Sequence, residues 1–165
     1  MTQLDVKLQA VQILETEKEV ETGLQLITEM LHTRLEKYTW VGFYFMNNRN
    51  KTLHLGPYTG NETDHKVIPY GKGICGQVAE SGKVFTVDDV TAQDNYIACS
   101  IEVKSEIVVP LYLGQDLVGQ IDIDSNTPRA FTQDDELFLI DLCSLIATQY
   151  GESLRELAAD VAQAN

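Results

Sequence analysis

The chain has 165 residues, 44% of them hydrophobic, which is enough for one domain with a sizeable core and too little for two. Its net charge of −13, with only twelve Lys and Arg residues that form no cluster, excludes a polyanion such as nucleic acid as the expected partner. No apolar run approaches the ~20 residues that cross a bilayer, and the N-terminus carries charges where a signal peptide needs apolar residues, so we expect a cytoplasmic protein without membrane contact.

The first third of the chain predicts two helices and a hairpin. Apolar residues recur at helical spacing over residues 4–35, and a polar stretch at 15–23 predicts a bend between two helices. Residues 39–46 and 52–56 are rich in β-formers and flank a turn, which predicts paired strands. Trp40 and Tyr44 share one strand face, where they are either core residues or the aromatic wall of a pocket.

A Gly-rich turn organises the middle of the chain. Residues 57–66 read as a loop, and the turn at 71–76 leads into a short helix at 76–80 that begins next to Cys75. Such a turn can bind an anion, but its spacing matches neither a P-loop nor a dinucleotide fingerprint. The helix N-terminus is expected to lower the pKa of Cys75.

Paired carboxylates lie on the last predicted strand. A short strand at 84–87 and a polar loop at 88–96 precede Cys99, and residues 104–113 and 117–124 form a second hairpin. Alternation puts Val118, Gln120, Asp122 and Asp124 on one face, with the two carboxylates about 6–7 Å apart along the strand. This face is either solvated or part of a site.

The C-terminal region predicts an amphipathic helix with a buried thiol. A Ser/Thr-x-x-acid capping pattern at Thr132 starts a helix that extends to about residue 157, and residues 158–165 are expected to fray. Cys143 lies among apolar positions of this helix, so it is interpreted as a core residue. No CxxC or His-rich spacing indicates a metal site.

Together these elements predict an α+β fold with a central antiparallel sheet of about six strands. Helices from residues 1–36 and 132–157 would cover one face of the sheet. Residues 38–130 would form the sheet itself and the loops. The loops that carry Cys75 and Cys99 would cover a ligand pocket on the other face. We expect one domain over residues 1–165.

Several segments, taken jointly, resemble the free methionine-(R)-sulfoxide reductases, which are single GAF domains. Each segment alone is a weak signal, but the joint pattern is specific and spans about residues 38–150. The segments are 40–44 (WVGFY), 55–60 (LGPYTG), 68–76 (IPYGKGICG), 97–99 (IAC), 105–110 (SEIVVP) and 122–125 (DIDS).

The resemblance implies a set of site residues. It makes Cys99 the nucleophile that attacks the substrate sulfur, places substrate-binding acids at Glu106, Asp122 and Asp124, and places an aromatic wall at Trp40 and Tyr44. It implies no bound cofactor, a thioredoxin or another thiol as reductant, and a homodimer through the terminal helices. Two positions depart from the family pattern: the usual resolving cysteine is His65, and an Asp after the nucleophile is Ser100.

The residues are suited to this chemistry apart from the resemblance. A thiolate attacks a sulfoxide sulfur when the oxygen is protonated, so Cys99 and one acid are required, and clustered carboxylates raise one another's pKa values. The resulting sulfenic acid condenses with a second thiol, for which Cys75 is the candidate in this chain. A GAF sensor that has lost turnover is the alternative function, and cyclic-nucleotide binding is a third.

Overall fold

The computed structural model describes residues 2–94, 96 and 101–163. In chain order its elements are α1 (Gln3–Thr16), α2 (Val20–Arg34), β1 (Trp40–Asn47), β2 (Thr52–Thr59), β3 (Val67–Pro69), α3 (Gly73–Ser81), β4 (Phe85–Val87), β5 (Ser105–Leu113), β6 (Asp116–Ser125), α4 (Gln133–Tyr150) and α5 (Glu152–Gln163). Within these described ranges, none of the helices is both long and apolar enough to span a membrane.

The strands form one six-stranded sheet in the order β3-β2-β1-β6-β5-β4, and every neighbouring pair is antiparallel. The predicted α+β fold is therefore confirmed. Helices α2, α4 and α5 pack on one face, and α1 packs on α2 and α4. The other face is covered by α3 and by loops, so the two faces have separate cores.

The helix ends follow from local sequence signals. Thr2 and Thr132 both form capping boxes. In each box the threonine side chain accepts a hydrogen bond from the backbone N–H three residues on, and the carboxylate of that residue, Asp5 or Asp135, accepts one from the threonine N–H. Asp135 also accepts a hydrogen bond of 2.7 Å from the Tyr38 hydroxyl. The capping of α4 is thus tied to the start of β1.

Three predictions about local structure were wrong. The predicted C-terminal helix to about residue 157, with fraying beyond it, is instead two helices divided at Gly151, and residues 158–163 are helical because Ala158 and Ala162 of α5 are buried against the core. Strand β2 extends through Pro57 to Thr59, next to a register shift opposite β1. A second register shift, between β5 and β6, brings Val118 into the helix-side core rather than onto the face of Asp122.

Cys143 is confirmed as a core residue. Its side chain is 4% exposed within the helix-side core, and burial raises its pKa to about 12. It therefore lies on the opposite side of the sheet from Cys75.

We expect Cys143→Ala to lower the free energy of unfolding by about 1–2 kcal/mol, because a small buried side chain is removed from a packed core. Urea unfolding of the parent and the variant measures the difference. The catalytic rate should not change, and a lower rate in the folded variant would contradict the assignment of Cys143 to the core alone.

Candidate active site

Sheet register brings the three predicted acids together on the face opposite the main helices. Glu106 of β5 pairs directly with Asp124 of β6, and Asp122 lies two residues along the same strand. Directly paired residues have Cβ atoms about 4.5–5.5 Å apart. The side chains of all three acids are buried, so the interpretation of this face as a solvated surface is wrong.

Two of these carboxylates have oxygens without partners. Asp122 and Asp124 are 3% and 2% exposed, and within the described part of the chain their Oδ1 atoms accept no hydrogen bond. Burial raises the pKa of Asp122, and burial together with the charge of Asp122 raises the pKa of Asp124 well above its usual range. The site can thus hold a proton or bind a cationic group.

Helix α3 is positioned over these acids by its Gly-rich turn. The Gly71 backbone N–H donates to the Gly76 carbonyl at 2.9 Å, and the Gly76 N–H donates to Lys72 at the same distance. A Cβ on Gly76 would lie 2.7 Å from the Pro69 carbonyl oxygen, so only glycine allows the turn to pack this closely. The turn is therefore used for close packing of α3 against β3.

Cys75 lies in the first turn of α3 and faces the carboxylates. Its Sγ donates to Glu106 Oε1 at 3.9 Å, and the Gln120 side chain donates to its backbone carbonyl at 3.2 Å. The expectation that the helix N-terminus lowers the pKa of Cys75 was wrong. Burial, followed by the charges of Asp122 and Glu106, raises it well above its ordinary value.

Trp40 forms an aromatic wall at the end of the carboxylate row. It pairs with Asp124 across the β1–β6 ladder, and its ring stacks on Tyr58 with centroids 5.5 Å apart. Its indole N–H donates to the Asn61 carbonyl at 3.0 Å. Gly42 pairs with Asp122, and a Cβ on Gly42 would overlap the Trp40 ring. The indole can occupy this position because residue 42 has no side chain.

Tyr44 continues this wall and holds the loop that contains His65. Its hydroxyl donates to the His65 carbonyl at 2.8 Å, and its side chain is buried. His65 lines a cavity of about 20 Å³ together with Tyr44, Cys75, Glu106 and Asp122. Burial raises the pKa of Asp122, and the electrostatic interaction with His65 acts in the opposite direction. His65, which stands where the family pattern has a resolving cysteine, thus lies close to Cys75 and the acids.

The predicted nucleophile, Cys99, and the following Ser100 lie outside the described residues. The chain on their C-terminal side returns to the site, because Glu102 and Val103 line a cavity of about 40 Å³ with Trp40 and Asp124. The Lys104 N–H then donates to the Ser125 carbonyl at 2.8 Å. Three larger grooves, of about 560–790 Å³, are lined by other residues, although Tyr58, which stacks on Trp40, lines one of them.

Sequence reasoning missed two residues that shape the site. Tyr58 supports the Trp40 ring, and Gln120 holds the Cys75 carbonyl. Gln120 could have been found, because it shares the alternating face of Asp122 and Asp124. Tyr58 lies in one of the segments that carry the resemblance, 55–60, but residues 57–66 were interpreted as a loop, so its position beside Trp40 was not expected.

Cys75, Glu106 and Asp122 also form a group of possible metal ligands. One ligand atom from each residue lies within 4.8 Å of the other two, and all three residues are buried. Because they come from α3, β5 and β6, no short sequence spacing indicates the group.

Comparison with known proteins agrees with this architecture. A family model described as GAF domain matches residues 17–148. Free methionine-R-sulfoxide reductase of Escherichia coli (strain K12) is 38% identical over 107 residues, which are 65% of this chain and 63% of that protein. The X-ray structure of free methionine-R-sulfoxide reductase from Neisseria meningitidis in complex with its substrate superposes with a TM-score of 0.86 at 32% identity, covering 93% of this chain and 90% of that one. A putative GAF sensor protein from Burkholderia vietnamiensis gives 0.85 at 29% identity, with 93% and 96% covered.

The raised pKa of Asp124 predicts how stability depends on pH. The folded chain binds this proton more tightly than the unfolded chain, so the stabilisation is complete below about pH 4 and is lost as pH rises. Asp124→Asn cannot ionise, and we expect its melting temperature to exceed that of the parent at pH 7–8 and to approach it at pH 4. Thermal unfolding across this range measures the difference.

The matched control is Asp160→Asn on the exposed side of α5, where no buried charge is removed and the two curves should run in parallel. Parallel curves for Asp124→Asn and the parent would contradict the buried-charge interpretation.

Proposed function

This chain belongs to the GAF domain family, in the group of the free methionine-(R)-sulfoxide reductases, and from that premise we propose that it reduces free methionine-(R)-sulfoxide to methionine. The proposal is supported by the reductases among its relatives. The observation that carries it is the buried pair of unpartnered oxygens on Asp122 and Asp124, beside the aromatic wall.

The acids are suited to bind the ammonium of a free amino acid. A buried carboxylate oxygen without a hydrogen-bond partner is unfavourable, and a cation that bonds to it removes that penalty. The ammonium has three donors, and Asp122 offers it an open acceptor, while Asp124 keeps the proton that the sulfoxide oxygen needs. A methionine inside a polypeptide has no ammonium at its nitrogen, so this recognition selects the free amino acid.

The aromatic wall is suited to the apolar part of the substrate. The polar atoms of Trp40 and Tyr44 already donate to backbone carbonyls, so the rings offer apolar surface. Sulfur next to an aromatic ring gains about 0.3–1.5 kcal/mol. The methyl and sulfur groups would therefore lie against Trp40 and Tyr44.

The net reaction leaves one oxygen atom on Cys99. The thiolate attacks the sulfoxide sulfur and forms an S–S bond, and the protonated oxygen leaves as water. Water then attacks the Cys99 sulfur, the S–S bond breaks, and the products are methionine and the Cys99 sulfenic acid. Asp124 is assigned as the acid that protonates the sulfoxide oxygen, because its raised pKa favours the protonated form of its carboxyl group. Cys99 is three residues from Glu102, which lines a cavity with Asp124, and chain length limits that separation to about 11 Å.

Cys75 is assigned as the thiol that resolves the sulfenic acid. Its sulfur would displace the Cys99 hydroxyl, forming a disulfide and releasing water. The buried Cys75 thiol must lose its proton to react, and Glu106, which accepts its S–H, is positioned to take it. Two electrons from a thioredoxin or another external thiol then reduce the disulfide.

The alternative is a GAF module that binds a small molecule without turnover. The replacement of the family's resolving cysteine by His65 favours it, whereas the reductases among the relatives favour the enzyme. No described feature supports cyclic-nucleotide binding. A cytoplasmic location, a homodimer through the terminal helices and a single domain over residues 1–165 remain predictions.

Methionine release from the two sulfoxide epimers tests the proposal. With thioredoxin or dithiothreitol, we expect turnover of the free (R) epimer and little of the (S) epimer. Failure to turn over either epimer with either reductant would favour the binding module. Cys99→Ser should abolish turnover and leave the melting temperature unchanged, while near-parent activity would remove Cys99 from the nucleophile role.

A second variant separates the two routes of resolution. If Cys75 is the resolving thiol, Cys75→Ser loses thioredoxin-dependent turnover, and mass spectrometry of the parent after one turnover shows a Cys75–Cys99 disulfide. Cys143→Ser is the matched control, because it removes a buried thiol from the other face. Full thioredoxin-dependent turnover in Cys75→Ser would exclude the assigned role.

A further inference from the structure

We propose that Cys75, Glu106 and Asp122 form a Zn²⁺ site, and that Zn²⁺ bound there blocks the small-molecule site. The three side chains come from α3, β5 and β6 and converge on one point of the sheet face. Their candidate ligand atoms lie within 4.8 Å of one another, and Cys75 Sγ is 3.9 Å from Glu106 Oε1.

The spacing is close to that of a tetrahedral zinc site. With Zn–S near 2.3 Å and Zn–O near 2.1 Å, ligand atoms around one ion are about 3.4–3.6 Å apart. Small side-chain rotations therefore bring this group to bonding distance. Ca²⁺ takes six to eight oxygen ligands and Mg²⁺ an octahedral oxygen shell, whereas a thiolate with two carboxylates is a donor set that Zn²⁺ accepts.

Asp122 supplies an independent reason to expect a cation. Its side chain is almost fully buried, lines the same cavity as Cys75 and Glu106, and has an oxygen with no hydrogen-bond partner in the described part of the chain. The cavity of about 20 Å³ admits one water-sized sphere. It therefore has the size of a single ion or of the ammonium group of a larger ligand.

His65 is the nearest candidate for a fourth ligand. It lines the same cavity, and its charge acts on Asp122. A neutral imidazole is a common zinc ligand, so movement of the His65 ring towards Asp122 would complete a Cys-His-carboxylate set. Without that movement, a water molecule takes the fourth position.

Coordination needs no electron transfer. The Cys75 thiol releases its proton to solvent and binds as thiolate, with no change in the oxidation state of sulfur or metal. The occupied ligands are those that would hold the substrate ammonium and resolve the sulfenic acid. The inhibitory consequence therefore rests on the proposed function, whereas metal binding itself does not.

The metal site is tested with Zn²⁺ and the reduced full chain. Calorimetry should give one Zn²⁺ per chain, and Co²⁺ in its place should give a thiolate-to-cobalt charge-transfer band. Loss of a ligand should weaken binding by more than about tenfold, since even second-shell changes cost 10–100-fold. We expect this in Cys75→Ser and Asp122→Asn, loss of the band in Cys75→Ser, and parent binding in Cys143→Ala.

Either of two outcomes would overturn the site: no binding by the parent, or unchanged affinity in both Cys75→Ser and Asp122→Asn. The second variant matters because it keeps the shape of the buried side chain and so guards against misfolding.

The inhibitory effect is measured separately, as the methionine that pre-reduced enzyme forms in a single turnover. No thiol is added, because a free thiol would itself bind zinc. We expect Zn²⁺ to suppress this product and a chelator to restore it. Full product with the site saturated would overturn the block. Absence of product from the metal-free enzyme, with metal binding intact, would contradict the proposed function and leave the metal site in place.

Discussion

The site depends on the burial of three carboxylates and a thiol on one face of the sheet. Removing such groups from water is unfavourable, and the raised pKa values of Asp122, Asp124 and Cys75 are its direct consequence. The fold tolerates this because the opposite face carries a continuous apolar core under α2, α4 and α5. The larger apolar core lies on one side of the sheet, and the buried carboxylates and the Cys75 thiol lie on the other.

This division explains why the site is prepared for a ligand. The polar atoms of the aromatic wall and the backbone of Cys75 are already bonded, so these groups are fixed before anything binds. The open oxygens of Asp122 and Asp124 are the exception. Such a site lowers the stability of the unliganded fold and favours binding, because a ligand rather than the protein supplies the hydrogen bonds that these oxygens lack.

Much of this arrangement could be predicted from the sequence, because it depends on short-range periodicity. Alternation along β6 placed Asp122 beside Asp124, and the capping pattern at Thr132 located the start of α4 correctly. The errors arose where tertiary contacts decide. The bulge that buries Val118 and the packing that orders residues 158–163 have no local signal, and the environment of Cys75 is created by strands far along the chain. The metal-ligand group was missed for the same reason.

The central claim, that buried carboxylates recognise the ammonium of a free amino acid, is tested most directly by blocking that group. Rates of reduction of free methionine-(R)-sulfoxide and of its N-acetyl derivative should be compared on the same enzyme preparation. The account predicts that N-acetylation lowers kcat/KM by at least about a hundredfold, since an amide offers one neutral donor to a buried pair of acids. Equal kcat/KM values for the two compounds would contradict it.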